Sequence, residues 1–222
     1  MAKAQPLPGK DNQIGGFDRS VFVNCPFDLD YRSLFRPLIF TIHSLNFRPR
    51  FALERADSGE TRLLKIAQLI QESRWAIHDL SRCVAVTSGE HYRMNMPLEL
   101  GMDYGARTYG GKKLSAKRCL ILEKERYRFQ KTVSDLAGCD IKAHENIPAN
   151  VVKIVHDWLV QEARAIAVSP TSIWKRFNIF MAAAFVELKR KGYSKRDIET
   201  LPENQLSEMM VAWLEQNPSP HS

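Results

Sequence analysis

The sequence predicts an α/β fold: a doubly wound parallel sheet followed by a C-terminal helical region. Two patterns carry that prediction. Over residues 19–147, short β-branched and aromatic runs alternate with amphipathic stretches, and from about Pro148 only helical spacing remains. Strands that alternate with helices need crossover connections, which make the strands parallel. Size agrees: 222 residues, 44% apolar and 26% charged, can bury a core without covalent staples and are too hydrophobic for a disordered chain.

Each element has its own signal. Residues 1–18, rich in Pro, Gly and polar side chains, read as a flexible lead-in. Ser20–Asn24 (SVFVN) is a first strand, stopped by Cys25-Pro26. Tyr31–Leu45 places Leu34, Leu38, Ile42 and Leu45 at helical spacing; Pro37 is tolerable there only near the start or as a kink. Phe47–Leu53 is a second strand. Thr61–Ser73 is an amphipathic helix with Leu63, Ile66, Ala67 and Ile70 on its stripe. Trp75–Leu80 is a third strand, and Pro97–Tyr104 opens a helix with Pro near its first position. Arg118–Leu122 is a fourth strand and Cys139–Ala143 a short edge strand. Helices over Val151–Ile166, Ile173–Lys191 and Pro202–Glu215 form a region spanning 148–216, broken at Ser169-Pro170-Thr171 and Lys191-Gly192-Tyr193. Residues 217–222 are a frayed tail.

Composition excludes several classes. No apolar run is long enough for a membrane span, and the N-terminus lacks the apolar segment of a secretory signal. Cys25, Cys83, Cys119 and Cys139 lie far apart, with no CxxC and no metal-ligand spacing, which implies buried thiols in a reduced, cytoplasmic protein. Net charge is +7, and the densest basic stretch runs from Arg107 to Lys131. That stretch suits nucleic acid or a phosphorylated ligand, but no nucleic-acid motif accompanies it, and a solvated face is the simpler reading.

Open parallel sheets bind ligands beyond the carboxyl ends of their strands. The residues there are Asn24, Cys25, Pro26, Phe27 and Asp28 after the first strand, and Glu54 to Glu60, with Ser58, after the second. After the third come Asp79, Leu80, Ser81 and Arg82, and a polar loop then leads to Asn95 and Glu99. Carboxylates, hydroxyls and amides in such loops suit a polyhydroxyl ligand such as a ribose, with arginine available for phosphate. The glycine-rich dinucleotide fingerprint, the P-loop and the nucleophile elbow are all missing. A receiver domain would need an acidic pair after the first strand, where Asn24-Cys25 stands.

Three segments carry a family resemblance: Val21 to Asp28 (VFVNCPFD), Asp79-Leu80-Ser81-Arg82, and Asn95 to Gly101 (NMPLELG). Together they resemble the bacterial TIR-like and nucleoside deoxyribosyltransferase-like group, over about residues 20–106. The resemblance implies a flavodoxin-like fold and cleavage of NAD or a related nucleotide at its N-glycosidic bond, often in bacterial defence. It implies that Glu99 attacks or steadies the sugar C1′ and matches Asp79 to the acidic end of the third strand; on chemical grounds Asp79 would orient ribose hydroxyls by accepting their protons. Asn95 would assist, Ser58, Ser81 and Arg82 would hold phosphate, and Asn24, Cys25, Pro26 and Phe27 would contact base or pyrophosphate. No metal or cofactor is implied; the nucleotide is the substrate. The transferases' Asp-x-Gly-Thr before the glutamate helix is replaced here by Arg93-Met94-Asn95-Met96-Pro97, which speaks against base exchange.

Structural alternatives stand beside these roles. Glu99 near the third position of its helix would also be favoured by the helix dipole, and Asp79 would serve as an N-cap. Cys25 lacks a placed histidine to make it a nucleophile, His78 faces away from the crevice if Asp79 faces it, and His91 and His144 read as exposed loop residues. The helices over 148–216 either complete the core or dock a second copy or a partner protein. A non-catalytic nucleotide sensor that signals through those helices is the alternative to the glycosidase.

Overall fold

The computed structural model describes residues 16–55, 57–83, 94–128, 133–166 and 168–218. Its sheet has five parallel strands: β1 (Ser20–Asn24), β2 (Arg48–Arg50), β3 (Trp75–Asp79), β4 (Arg118–Glu123) and β5 (Lys142–Ala143). Their order is β2-β1-β3-β4-β5, the doubly wound flavodoxin-like arrangement. The helices are α1 (Gly16–Arg19), α2 (Arg32–Ser44), α3 (Arg62–Gln71), α4 (Asn95–Tyr109), α5 (Gly111–Leu114), α6 (Pro148–Ala163), α7 (Pro170–Arg190), α8 (Lys195–Glu199) and α9 (Glu203–Gln216).

The two sheet faces are covered differently. On one, Phe22 and Ala76 meet Ile66, Leu69 and Ile70 of α3, with Met102 and Ala106 of α4 alongside. On the other, Val21, Val23, Trp75 and Ile77 face α2 and α6, and α7 and α9 lie outside α2 in a further layer. That outer layer explains why Pro37 to Ile42 are buried without a break: α2 has apolar neighbours on both sides. Phe40 stands 5.6 Å from Phe177, 5.7 Å from Phe180 and 6.0 Å from Trp213, ring centre to ring centre. The C-terminal helices thus share one apolar cluster with the sheet. Two arginines of α2 fasten them further: Arg36 makes a bidentate pair with the buried Glu203 at 3.0–3.3 Å, and Arg32 Nε lies 3.1 Å from the same carboxylate.

Several expectations need correction. The second strand was expected over Phe47–Leu53 but covers Arg48–Arg50, because the chain turns into a 3-10 turn at Ala52–Glu54. In α3, Leu63 is exposed and Lys65 is buried, its amine donating to the Arg55 carbonyl at 2.8 Å. α4 begins at Asn95, not Pro97, with Met94 as a cap that offers no side-chain bond. α8 was not expected, although Ser194 and Asp197 form a reciprocal capping box there. Lys117, expected in the basic surface stretch, is wholly buried. It pairs with Asp103 at 2.9 Å and donates to the Ile70 and Ser73 carbonyls, capping the end of α3. No described helix is long and apolar enough to cross a membrane.

Candidate functional site

In this strand order the winding reverses between β1 and β3, where a crevice opens at the strands' carboxyl ends. Around that point the loops after β1, β3, β4 and β5 line a cleft of about 350 Å³. Its lining is Asp30, Tyr31, Ser33, Leu34, Ser81, Arg82, Lys124, Arg128 and Asn146.

Beneath the cleft, Asp79 is 0% exposed at the end of β3. Its Oδ2 accepts from the Tyr31 hydroxyl at 2.5 Å and lies 3.0 Å from His144 Nε2, and its Oδ1 accepts the Ser81 amide at 2.8 Å. Burial alone would raise its pKa, but the bonds from His144, Ser81 and Tyr31 hold the carboxyl below the ordinary range. Asp79 therefore ties together the loops after β1, β3 and β5.

His144 is also 0% exposed, which corrects the expectation of an exposed loop residue. It starts a turn in which the Ile147 amide returns to the His144 carbonyl at 2.9 Å. Both central residues, Glu145 and Asn146, have φ 57°, the left-handed pattern of a type I′ turn. The Asn146 amide donates to His144 Nδ1 at 3.0 Å, so the neutral ring carries its proton on Nε2. That proton is shared between Asp79 and the Ser81 hydroxyl, whose Oγ stands 2.9 Å from Nε2. A Ser-His-Asp nucleophile system needs serine and aspartate on opposite ring nitrogens. Here both address Nε2, which is already protonated, so this trio holds loops in place and does not activate Ser81.

Glu99 sits on the other side of the sheet's edge, in the second turn of α4. With Asn95 first, Glu99 is fifth, so the capping explanation expected for a third-position carboxylate does not apply. It is 5% exposed, and its partner Arg62, at the start of α3, lies 3.9 Å away. Burial pushes its carboxyl up to about 7, with Arg62 pulling the other way. The two motif carboxylates are thus in opposite electrostatic states.

The remaining expected residues take varied places. The Asn24 amide group is buried between His78 Nδ1 at 3.0 Å and the Met96 carbonyl at 2.9 Å, tying β1 to the first turn of α4. His78 faces that side, with Asp103 3.4 Å from its Nε2, away from Asp79 as the strand period requires. Cys25 is buried and its thiol is pushed well above the ordinary range by desolvation, then by Asp79 and Glu99, so it is held as a neutral thiol. Pro26 is buried and Phe27 half-buried against Phe35. Ser58 and Asn95 are exposed. Ser81 and Arg82 line the cleft, with Arg82 3.4 Å from Asp28. The structure thus gathers Asp79, Ser81 and Arg82 at the cleft, and Glu99 and Asn95 at the start of α4. His91, Arg93 and Gln130 to Thr132 lie outside the described residues.

No protein-family model, curated protein or solved structure matches the chain.

Sequence reasoning missed Tyr31 and Asn146 at the cleft, and it held Lys124 and Arg128 only as members of the basic stretch from Arg107 to Lys131, without placing them there. The Asn146 turn left a local trace, since asparagine tolerates the left-handed conformation, and Lys124 and Arg128 left theirs as local positive charge. Among the described residues no cluster of His, Cys, Asp or Glu has the grouping to hold a metal ion.

Proposed function

We propose that the chain binds a nucleotide along the carboxyl edge of its sheet and cleaves the ribosyl C–N bond with Glu99. The observation that carries this reading is the buried Glu99 carboxyl at the start of α4, where an open α/β sheet receives its ligand. As the C–N bond breaks, its electron pair leaves with the base and positive charge builds on the sugar. The ionised Glu99 stabilises that charge or closes on C1′ as a ribosyl ester, which water then hydrolyses. A cationic nicotinamide leaves without an acid, so NAD or a related nucleotide fits a site built around one such carboxylate. Asp79, saturated by three donors, acts as a positioning residue. A role in bacterial defence belongs to the same proposal through the motif resemblance.

The test is incubation of wild type and Glu99→Gln with NAD and a panel of nucleosides and nucleotides, at low and high protein concentration. Release of free base by wild type and its loss in Glu99→Gln is the expected outcome. Equal turnover by both removes Glu99 from the reaction.

One observation favours a second reading, a sensor that binds without cleaving. Tyr31 and Ser33 line the cleft, and Arg32 between them reaches Glu203 and the Glu199 carbonyl. Ligand state at the cleft therefore has a direct mechanical route to α8 and α9. Recovery of an intact nucleotide from the purified protein, with no turnover, is the outcome that selects it.

A further inference from the structure

We propose that the cleft over Asp79 is a phosphate subsite, so that the ligand is a nucleotide carrying a mono- or diphosphate and not a free nucleoside. For the identity of the ligand this rests on the nucleotide reading above; for the anion it rests on the cleft alone.

Among the described residues, three cations from two loops, Arg82 after β3 and Lys124 and Arg128 after β4, face one lining carboxylate, Asp30. Ser33 and Ser81 add hydroxyls, and Asn146 adds an amide side chain. Leu34 and the Tyr31 ring supply the apolar floor. The 13-residue helix α2 begins at the same cleft, so the positive end of its dipole adds to the three side chains.

The cations are held at different strengths. Arg128 is anchored: Nε and Nη2 bond the fully buried Glu123 at 3.3 and 2.8 Å, and Nη2 also bonds the Ser81 carbonyl. Its charge is largely answered by Glu123, and its role is to fix the Ser81 loop. Arg82 lies 3.4 Å from the half-buried Asp28, and Lys124 is 3.3 Å from the exposed Glu125. Both of these pairs are long or solvent-facing, and such pairs are weak. Arg82 and Lys124 are therefore the groups that an incoming phosphate recruits, through short charge-assisted bonds.

The surroundings are rigid in a way that surface lysines are not. Asp79 pins Tyr31, Ser81 and His144 together directly beneath the cleft. The flanking loops contain three non-glycine residues in the left-handed region, Tyr127 at φ 65° and Glu145 and Asn146 at φ 57°. Such backbone persists where surrounding bonds over-determine it, a feature of ligand clamps. A cleft of about 350 Å³ falls at the lower end of small-molecule sites, roughly 300–1,000 Å³. It fits a phosphate group and part of a sugar, leaving the base to extend along the crevice.

The probes are inorganic pyrophosphate, AMP and adenosine, titrated by calorimetry into wild type, Arg82→Gln, Lys124→Gln and, as an exposed control on α7 away from the cleft, Lys175→Gln. Pyrophosphate is expected to bind wild type and Lys175→Gln alike, and roughly tenfold or more weakly to each cleft cation variant, since charged hydrogen bonds are worth that much. AMP is expected to bind at least tenfold tighter than adenosine, with the advantage shrinking in Arg82→Gln and as salt rises. Unchanged pyrophosphate affinity in folded Arg82→Gln and Lys124→Gln, or equal affinity for AMP and adenosine, overturns the subsite. Pyrophosphate binding by a protein that cleaves nothing keeps the subsite and removes the glycosidase. Cleavage of nucleosides and nucleotides alike, indifferent to both cation variants, does the reverse.

Discussion

Asp79 and Glu99 stand on opposite sides of one sheet edge, both nearly inaccessible, yet the protein treats them in contrary ways. Asp79 receives a hydroxyl, a ring N–H and a backbone N–H, which together outweigh the cost of burial and keep it ionised. Glu99 is buried with an exposed arginine 3.9 Å away, and desolvation wins, lifting it to about 7. A carboxylate held ionised by many donors is a tie rod; one left near its titration point at neutral pH is available for chemistry. Burial alone does not separate the two roles, and the donors around each oxygen do.

The largest effect is expected from Asp79→Asn. The amide NH2 would face donors, and the charge that answers the surrounding N–H and O–H groups would vanish. Removing one partner of a buried polar network costs about 3–5 kcal/mol, so denaturant melts should show a loss of that order. Pyrophosphate affinity should fall with it, because the loops after β1, β3 and β5 lose their common anchor. If the variant keeps wild-type stability, the tie-rod reading of Asp79 fails.

Glu99→Gln sharpens the other half. A carboxyl raised from 4.5 to about 7 favours the fold fully below its unfolded pKa, and that contribution is lost as pH rises through about 7. A tenfold change in proton affinity is worth about 1.4 kcal/mol, and Arg62 and solvent screen part of the effect. Wild type should therefore lose on the order of 2 kcal/mol from this group as pH rises from the ordinary glutamate range to about 8. Glu99→Gln should lack that slope and be the more stable protein at about pH 8. If Glu99 is catalytic, wild-type turnover should rise with pH through about 7 as the carboxylate forms. Asp79 has the opposite sign: with a depressed pKa, its contribution is present above the ordinary aspartate value and is lost as pH falls through its folded pKa. Stability of Asp79→Asn should be flatter than wild type in that acid range.

Tyr31→Phe is the mildest change. It removes one of three donors to Asp79 and leaves the ring in place, so about 1 kcal/mol is expected, visible as a small midpoint shift at constant slope. A loss as large as that of Asp79→Asn would mean that Tyr31, and not Asp79, is the centre of the network.

The parallel, doubly wound sheet and the position of Asp79 at the end of its third strand were legible because alternation and strand boundaries are local signals. The state of each carboxylate was not. Tyr31 and His144 reach Asp79 from distant parts of the chain, and nothing in their own neighbourhoods marks them as its partners. Lys117 reads as surface charge beside Lys112 and Lys113, and only the end of α3 shows what its amine is for. Glu99 was placed two positions too early in its helix because Met94 offers no capping side chain to mark where α4 begins. The capping box of α8 was written in the sequence at Ser194 and Asp197 and could have been read.

The double coverage of α2 also has a consequence in time. Phe40 is made before Phe177, Phe180 and Trp213, which cover it and follow it by more than 130 residues. At about 5–20 residues per second, an emerging chain carries this uncovered aromatic face for on the order of ten seconds or more. A nascent polypeptide stalled before α9 should be a sticky client for cellular holdases, and its release should coincide with the emergence of α9.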